Sequence, residues 1–249
     1  ITFNNGKEMT AGKKVKSVKA SSHNGIIKPL LYKKNDIQDN YNQLVLTLEN
    51  NFSLIFRAYN EGMAYRFVAA QKKDFIVEKE QASFNFAKDW QTYIPYVTTN
   101  GTVEQQFSNS FENPYTHTSL SKVNPEKISF LPFMVEAENN VKMVITEADL
   151  ENYPGLYVQH EEGQNLKGVL AGYPKEIQQG GHNELELLVK SHENFLAKAK
   201  AQQAFPWRII SISTEDKNIQ NNDMVYRLAA PSRVADTKWV KPGKVAWDW

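Results

Sequence analysis

The chain contains no cysteine. That absence excludes a disulfide-stapled scaffold, thiolate catalysis and a cysteine-type zinc site together. An excess of charge of either sign is also missing. The 29 Lys and Arg set against 28 Asp and Glu leave a formal net charge of +1, with no basic stripe for nucleic acid and no juxtamembrane cluster. No apolar run approaches the ~18 residues that cross a bilayer as a helix. Neither a nucleic-acid nor a membrane partner is therefore expected. No charged-then-apolar leader opens the sequence, so any secretion signal is expected to have been removed or to lie outside it.

Catalytic signatures are equally scarce. The histidines are His23, His117, His160, His182 and His192, and no two of them stand at the i, i+4 spacing with an intervening Glu that a zinc hydrolase uses. No Ser sits in a Gly-x-Ser-x-Gly elbow, and no Gly-rich loop could cradle a phosphate. His182 follows Gly180-Gly181, a turn setting rather than a ligand setting.

What the sequence does have is period-two alternation bounded by turn residues. Residues 43–49 and 52–60 flank Asn50-Asn51 as a hairpin, and 62–70 follows across Asn60-Glu61-Gly62. Residues 75–86 alternate, and 128–137 pairs plausibly with 141–147 around Asn139-Asn140. Strands are also expected at 156–161, 166–171, 184–189, 205–213 and 224–229. This spacing predicts an all-β fold, a large antiparallel β-sandwich. At 249 residues the chain suffices for one large β domain or two smaller ones. Residues 193–204, with four Ala and no Gly or Pro, allow either helix or strand. The polar stretch 109–125 is the long-loop candidate. No fixed-period repeat points to a solenoid or propeller.

Two sets of side chains could carry chemistry. Trp90, Tyr93, Tyr96, Tyr153, Tyr157, Tyr173, Trp207, Trp239, Trp247 and Trp249 could stack on sugar rings, although aromatics more often fill a sandwich core. Tyr153-Pro154-Gly155 and Tyr173-Pro174 are the loop-like settings among them. Glycosidic cleavage needs two carboxyls ~5 to ~10 Å apart, and no spacing pairs two of them here. In Ile145-Thr-Glu-Ala-Asp-Leu-Glu-Asn-Tyr153, however, Glu147, Asp149 and Glu151 alternate at the end of an apolar strand. While the strand lasts they share a face, with oxygen ligands suited to a hard cation such as calcium. A solvated strand end has the same pattern.

The two ends read as interrupted. Ile1-Thr-Phe before Asn-Asn-Gly resembles the second half of a strand entering a tight turn. Lys244 to Trp249, after Pro242-Gly243, reads as a strand whose neighbours would come from residues past 249. The expectation is a fragment.

Four strings carry a family resemblance: Asn60-Glu-Gly-Met-Ala-Tyr-Arg-Phe67, Ile145 to Gly155, Ala204-Phe-Pro-Trp-Arg-Ile209, and Trp239-Val-Lys-Pro-Gly-Lys-Val-Ala-Trp-Asp-Trp249. In order and interval they resemble the N-terminal domain of glycoside hydrolase family 97, over about residues 40–249. The resemblance implies a galactose mutarotase-like super-sandwich over residues 1–236. Residues 237–249 would be a linker and the first strand of a (β/α)8 barrel that is itself absent. It also implies a secreted or periplasmic bacterial α-glucosidase or α-galactosidase acting on oligosaccharides. The barrel would hold the catalytic carboxyls, so no catalytic residue is expected in this chain. The sandwich would lend one glutamate to a calcium ion beside the active site, a role that carries onto Glu147. With one ligand, the chain alone would bind calcium weakly or not at all. The alternative reading is a stand-alone carbohydrate-binding or mutarotase-like domain.

Overall fold

The computed structural model describes residues 1–3, 6–30, 32–241 and 243. Strand makes up 47% of the structure, which settles the class as all-β. Among the described residues, ten strands form one large antiparallel sheet, and two four-stranded sheets lie against it. The large sheet begins as a meander, Val15–Ile27, Ile37–Leu48, Phe52–Tyr59 and Gly62–Ala70, each strand paired with the next. Its other half runs through Thr116–Ser119, Gln91–Ile94, Phe133–Glu136 and Lys142–Ala148. Trp207–Ser213 joins the halves, pairing with Lys142–Ala148 on one side and Gly62–Ala70 on the other.

Period-two alternation gives this sheet two apolar faces. The inner face carries two cores side by side. In one, Phe52 and Ala69 meet Phe3, Val77 and Ala197 from the first small sheet. In the other, Phe133 and Ile145 meet Val158 and Leu166 from the second. The outer face is smaller: Ala64, Trp207 and Ile209 lie with Met224 and Leu228. The Arg57 and Arg66 guanidinium groups each lie 4.9 Å from the Trp207 ring, an attraction strengthened by burial.

Several expectations need correction. Residues 224–229 are not a strand: Met224–Leu228 is a helix that buries Met224 and Leu228 at i, i+4 spacing, the helical periodicity that a six-residue alternating reading hides. Residues 75–86 divide between the two small sheets, as Phe75–Lys79 and Ser83–Phe84. Residues 128–137 also divide. Ile128–Ser129 pairs with Leu156–His160, and after Pro132 the strand Phe133–Glu136 pairs with Lys142–Ala148 as expected. Residues 193–204 contain strands Ala197–Ala199 and Gln202–Ala204. Ala197 and Ala199 are buried with Lys198 outward, so sheet pairing overrides the helical propensity of alanine. The 109–125 stretch is loop only as far as Tyr115, beyond which Thr116–Ser119 extends the large sheet. The strand expected at Lys244–Trp249 lies outside the described residues.

At the turn into Gly62–Ala70, Gly62 has φ +148° and a Cβ there would lie 2.2 Å from the Ile210 carbonyl oxygen. Only glycine lets the central strand approach this closely. Gly62→Ala is expected to cost about 1–3 kcal/mol, read as a lower urea midpoint. An unchanged midpoint would contradict the close approach.

Candidate functional site

Lys142–Ala148 places Glu147 on the inner face of the large sheet, directly opposite Arg208 on Trp207–Ser213. The strand ends because Asp149 adopts φ +60°, a left-handed conformation that Asp and Asn tolerate. Asn152 (φ +52°) turns the chain again, and the loop returns so that the Leu156 N–H donates to Glu147 Oε1 at 3.0 Å. Arg208 Nη1 donates to Glu147 Oε2. The rest of the fork goes elsewhere: Nε and Nη2 donate to Glu80 Oε1 at 3.3 and 2.8 Å. Glu80 follows the small-sheet strand Phe75–Lys79, and its second oxygen accepts from the Tyr153 hydroxyl at 2.8 Å. The Tyr153 ring packs edge-on against Phe205 in the first core, centroids 5.3 Å apart.

The network is nearly dry. The side chains of Arg208, Glu80 and Glu147 are 4%, 7% and 13% exposed. Burial raises the Glu147 carboxyl above its ordinary value, against the lowering influence of Arg208 and the Leu156 N–H. Burial, with the Glu80 carboxylate beside it, likewise holds the Tyr153 hydroxyl well above its usual range. Two carboxylates share one guanidinium, so if all three are ionised they sum to one negative charge.

Glu147 and Tyr153 border a cleft of about 1260 Å³ that extends past Gly155, Tyr157 and Tyr173 to the hairpin strand Glu186–His192. Tyr157 is braced by Phe107, ring centroids 5.2 Å apart, and Tyr173 stacks on Phe195 at 5.4 Å. Of the remaining aromatic candidates, Trp207 is buried in the outer core and Trp90 packs against the second inner core. Tyr96 packs there too, and its hydroxyl accepts from the Asn124 N–H. Tyr93 stacks on His117 at 4.3 Å. Trp239 is exposed and donates to the Asp236 carbonyl, while Trp247 and Trp249 lie outside the described residues.

The three alternating carboxylates do not converge. Asp149 pairs with Arg66 at 3.0 Å and Glu151 with Arg233 at 2.9 Å, so each takes a different arginine once the strand ends. The described residues contain no group of three or more His, Asp or Glu that could hold a metal ion. The donor set fits a single-oxygen contribution from Glu147, whose carboxylate borders the cleft with lone pairs beyond its two hydrogen bonds. Sequence reasoning missed Glu80 and Arg208. They are 128 residues apart, and only the packing of the first small sheet on the large one brings them together.

Residues 1–231 match the family model described as the N-terminal domain of glycosyl hydrolase 97. The chain belongs to that family. A retaining α-galactosidase of Bacteroides thetaiotaomicron is 44% identical over 252 residues, covering 100% of this chain and 38% of that protein. Among solved structures, a family 97 enzyme from Pseudoalteromonas sp. strain K8, in complex with acarbose, superposes with TM-score 0.74 at 19% identity. It covers 93% of this chain, which spans 32% of it. A β-arabinopyranosidase superposes with TM-score 0.66 at 18% identity, over 86% of this chain and 33% of its own. These last two establish a shared fold. The chain thus spans well under half the length of its relatives.

Proposed function

We propose that the chain is the non-catalytic sandwich of a bacterial α-glycosidase of α-galactosidase type that hydrolyses terminal α-linked sugars of oligosaccharides. The observation that carries this is the 44% identity, sustained along the whole chain, to part of a retaining α-galactosidase. Relatives of the fold have been captured with acarbose and panose, in keeping with an oligosaccharide substrate. On this reading the cleft beside Glu147 forms one wall of the active-site entrance, and residues past Trp249 supply the catalytic carboxyls. We place the full-length protein in the periplasm or outside the cell, which fractionation would test.

Family 97 enzymes depend on calcium in general. Glu147 is the residue of this chain suited to lend it an oxygen, since its buried carboxylate faces the cleft and shares its arginine with Glu80. Calcium bound there would supply charge stabilisation beside the scissile bond. The chain's own residues hold the Glu147 carboxylate in place and line the entrance with aromatic faces.

The full-length protein is expected to turn over p-nitrophenyl α-galactoside, while repurified residues 1–249 are expected to hydrolyse neither that substrate nor the α-glucoside. Turnover by the repurified fragment that is lost on a substitution within it would overturn this reading. So would a full-length protein inactive on α-galactosides.

A further inference from the structure

We propose that Glu80 tunes the cation site by offsetting the charge of Arg208, so that Glu147 presents one unneutralised negative charge to the cleft. The inference rests on the reading of Glu147 as a calcium ligand and goes beyond it, because Glu80 is not among the residues that line the cleft.

Three observations carry it. First, the arginine fork is divided unequally. Glu80 Oε1 takes both Nε and Nη2, leaving only Nη1 for Glu147. An arginine facing a single carboxylate would turn its bidentate edge to it and make a neutral pair. Second, Glu80 is fixed as the preferred partner, since its other oxygen is held by the Tyr153 hydroxyl at 2.8 Å and Tyr153 is anchored in the first core. Third, no other cationic side chain pairs with either carboxylate among the described residues. The set therefore keeps a net charge of minus one in a site where water screens poorly. A hard divalent cation selects for such charge, and burying an unmatched carboxylate is costly unless a counterion completes it. Glu80 is thus a positioning residue for Glu147, acting through Arg208.

The test is calcium affinity of the full-length protein by isothermal titration calorimetry, for wild type and four variants whose folding is checked by circular dichroism. Glu80→Gln keeps the shape but neutralises the set, and the calcium Kd should rise about 10-fold, the usual scale for residues behind a metal ligand. Glu80→Gln with Arg208→Met restores a net charge of minus one and should regain most of that loss. Arg208→Met alone leaves two negative charges and should bind calcium more tightly than wild type, with the ion itself holding the fold together. A merely structural network predicts the opposite sign for that variant, so calcium binding weakened by Arg208→Met overturns the proposal even if Glu80→Gln fails to fold. A wild-type Kd in Glu80→Gln also overturns it, as does a double variant as weak as the single. Glu147→Gln is the separate control: wild-type affinity there sinks the ligand reading beneath, whereas a large loss there with Glu80→Gln unaffected sinks this inference alone.

Discussion

Arg208→Met in residues 1–249, in calcium-free buffer, is expected to lower the unfolding free energy by about 3–5 kcal/mol, the cost of removing one partner from a buried ion pair. The arginine is 4% exposed and holds two carboxylates that are themselves nearly buried. Methionine fills much of its volume but donates no hydrogen bond, so Glu80 and Glu147 lose their shared counterion. The effect should depend on pH with a definite sign. Burial already raises the Glu147 carboxyl and Arg208 lowers it, so removing Arg208 raises it further. A group whose folded value is raised favours folding below its unfolded value, and that contribution is lost as pH rises through the folded one. The deficit of the variant should therefore be largest near neutral pH and shrink as pH falls through the raised Glu147 value. Adding Glu80→Gln should recover part of the loss at neutral pH. Urea melts at several pH values measure both, and a pH-independent deficit would show that lost packing, not unpaired charge, is the cause.

Phe52→Ala is expected to cost about 3–5 kcal/mol for a different reason, the cavity left in a close-packed core. Phe52 is 0% exposed, and its ring lies 5.0 Å from Phe3 and 6.4 Å from both Phe75 and Phe205. Phe3 and Phe75 stand on the first small sheet, so Phe52 is where that sheet is fastened to the large one. Leu187→Ala on the exposed hairpin, 68% accessible, should change stability by no more than about 0.5 kcal/mol. Similar urea midpoints for the two variants would show that the sheets are not joined through Phe52.

The sandwich was legible in the sequence because half-buried antiparallel strands alternate, as Phe133–Glu136 and Leu156–His160 do, and because clear turns bound Phe52–Tyr59 and Gly62–Ala70. Val15–Ile27 was not legible: as the edge strand of the large sheet it is solvated on both faces, so no apolar side is written into it. Met224–Leu228 misled because five residues are too few to separate a helical stripe from alternation. For the candidate site, the acidic run alone did not separate Glu147 from a solvated strand end; the family resemblance picked it out, and its setting was not legible. Asp149 and Glu151 part from it through a single left-handed residue. Glu147 meets Arg208 through pairing between strands 61 residues apart, and Glu80 reaches the same arginine from a different sheet, information that no local window holds.

The position of Trp207–Ser213 also constrains the order in which the domain can be made. Among the described residues it is the last strand of the sheet to leave the ribosome, yet it sits in the middle, between Gly62–Ala70 and Lys142–Ala148. The meander of residues 15–70 can pair locally as it emerges, since its contacts are between chain neighbours. The two halves of the sheet cannot join through their central strand until residue 213 has been synthesised, and Arg208, which bridges Glu80 and Glu147, arrives with that same strand. Until then each half presents an open strand edge, the kind of surface that invites pairing with other nascent chains. Completion of the sheet and closure of the Glu80, Arg208 and Glu147 network thus wait on the same strand, which makes the geometry of that network a report on finished folding.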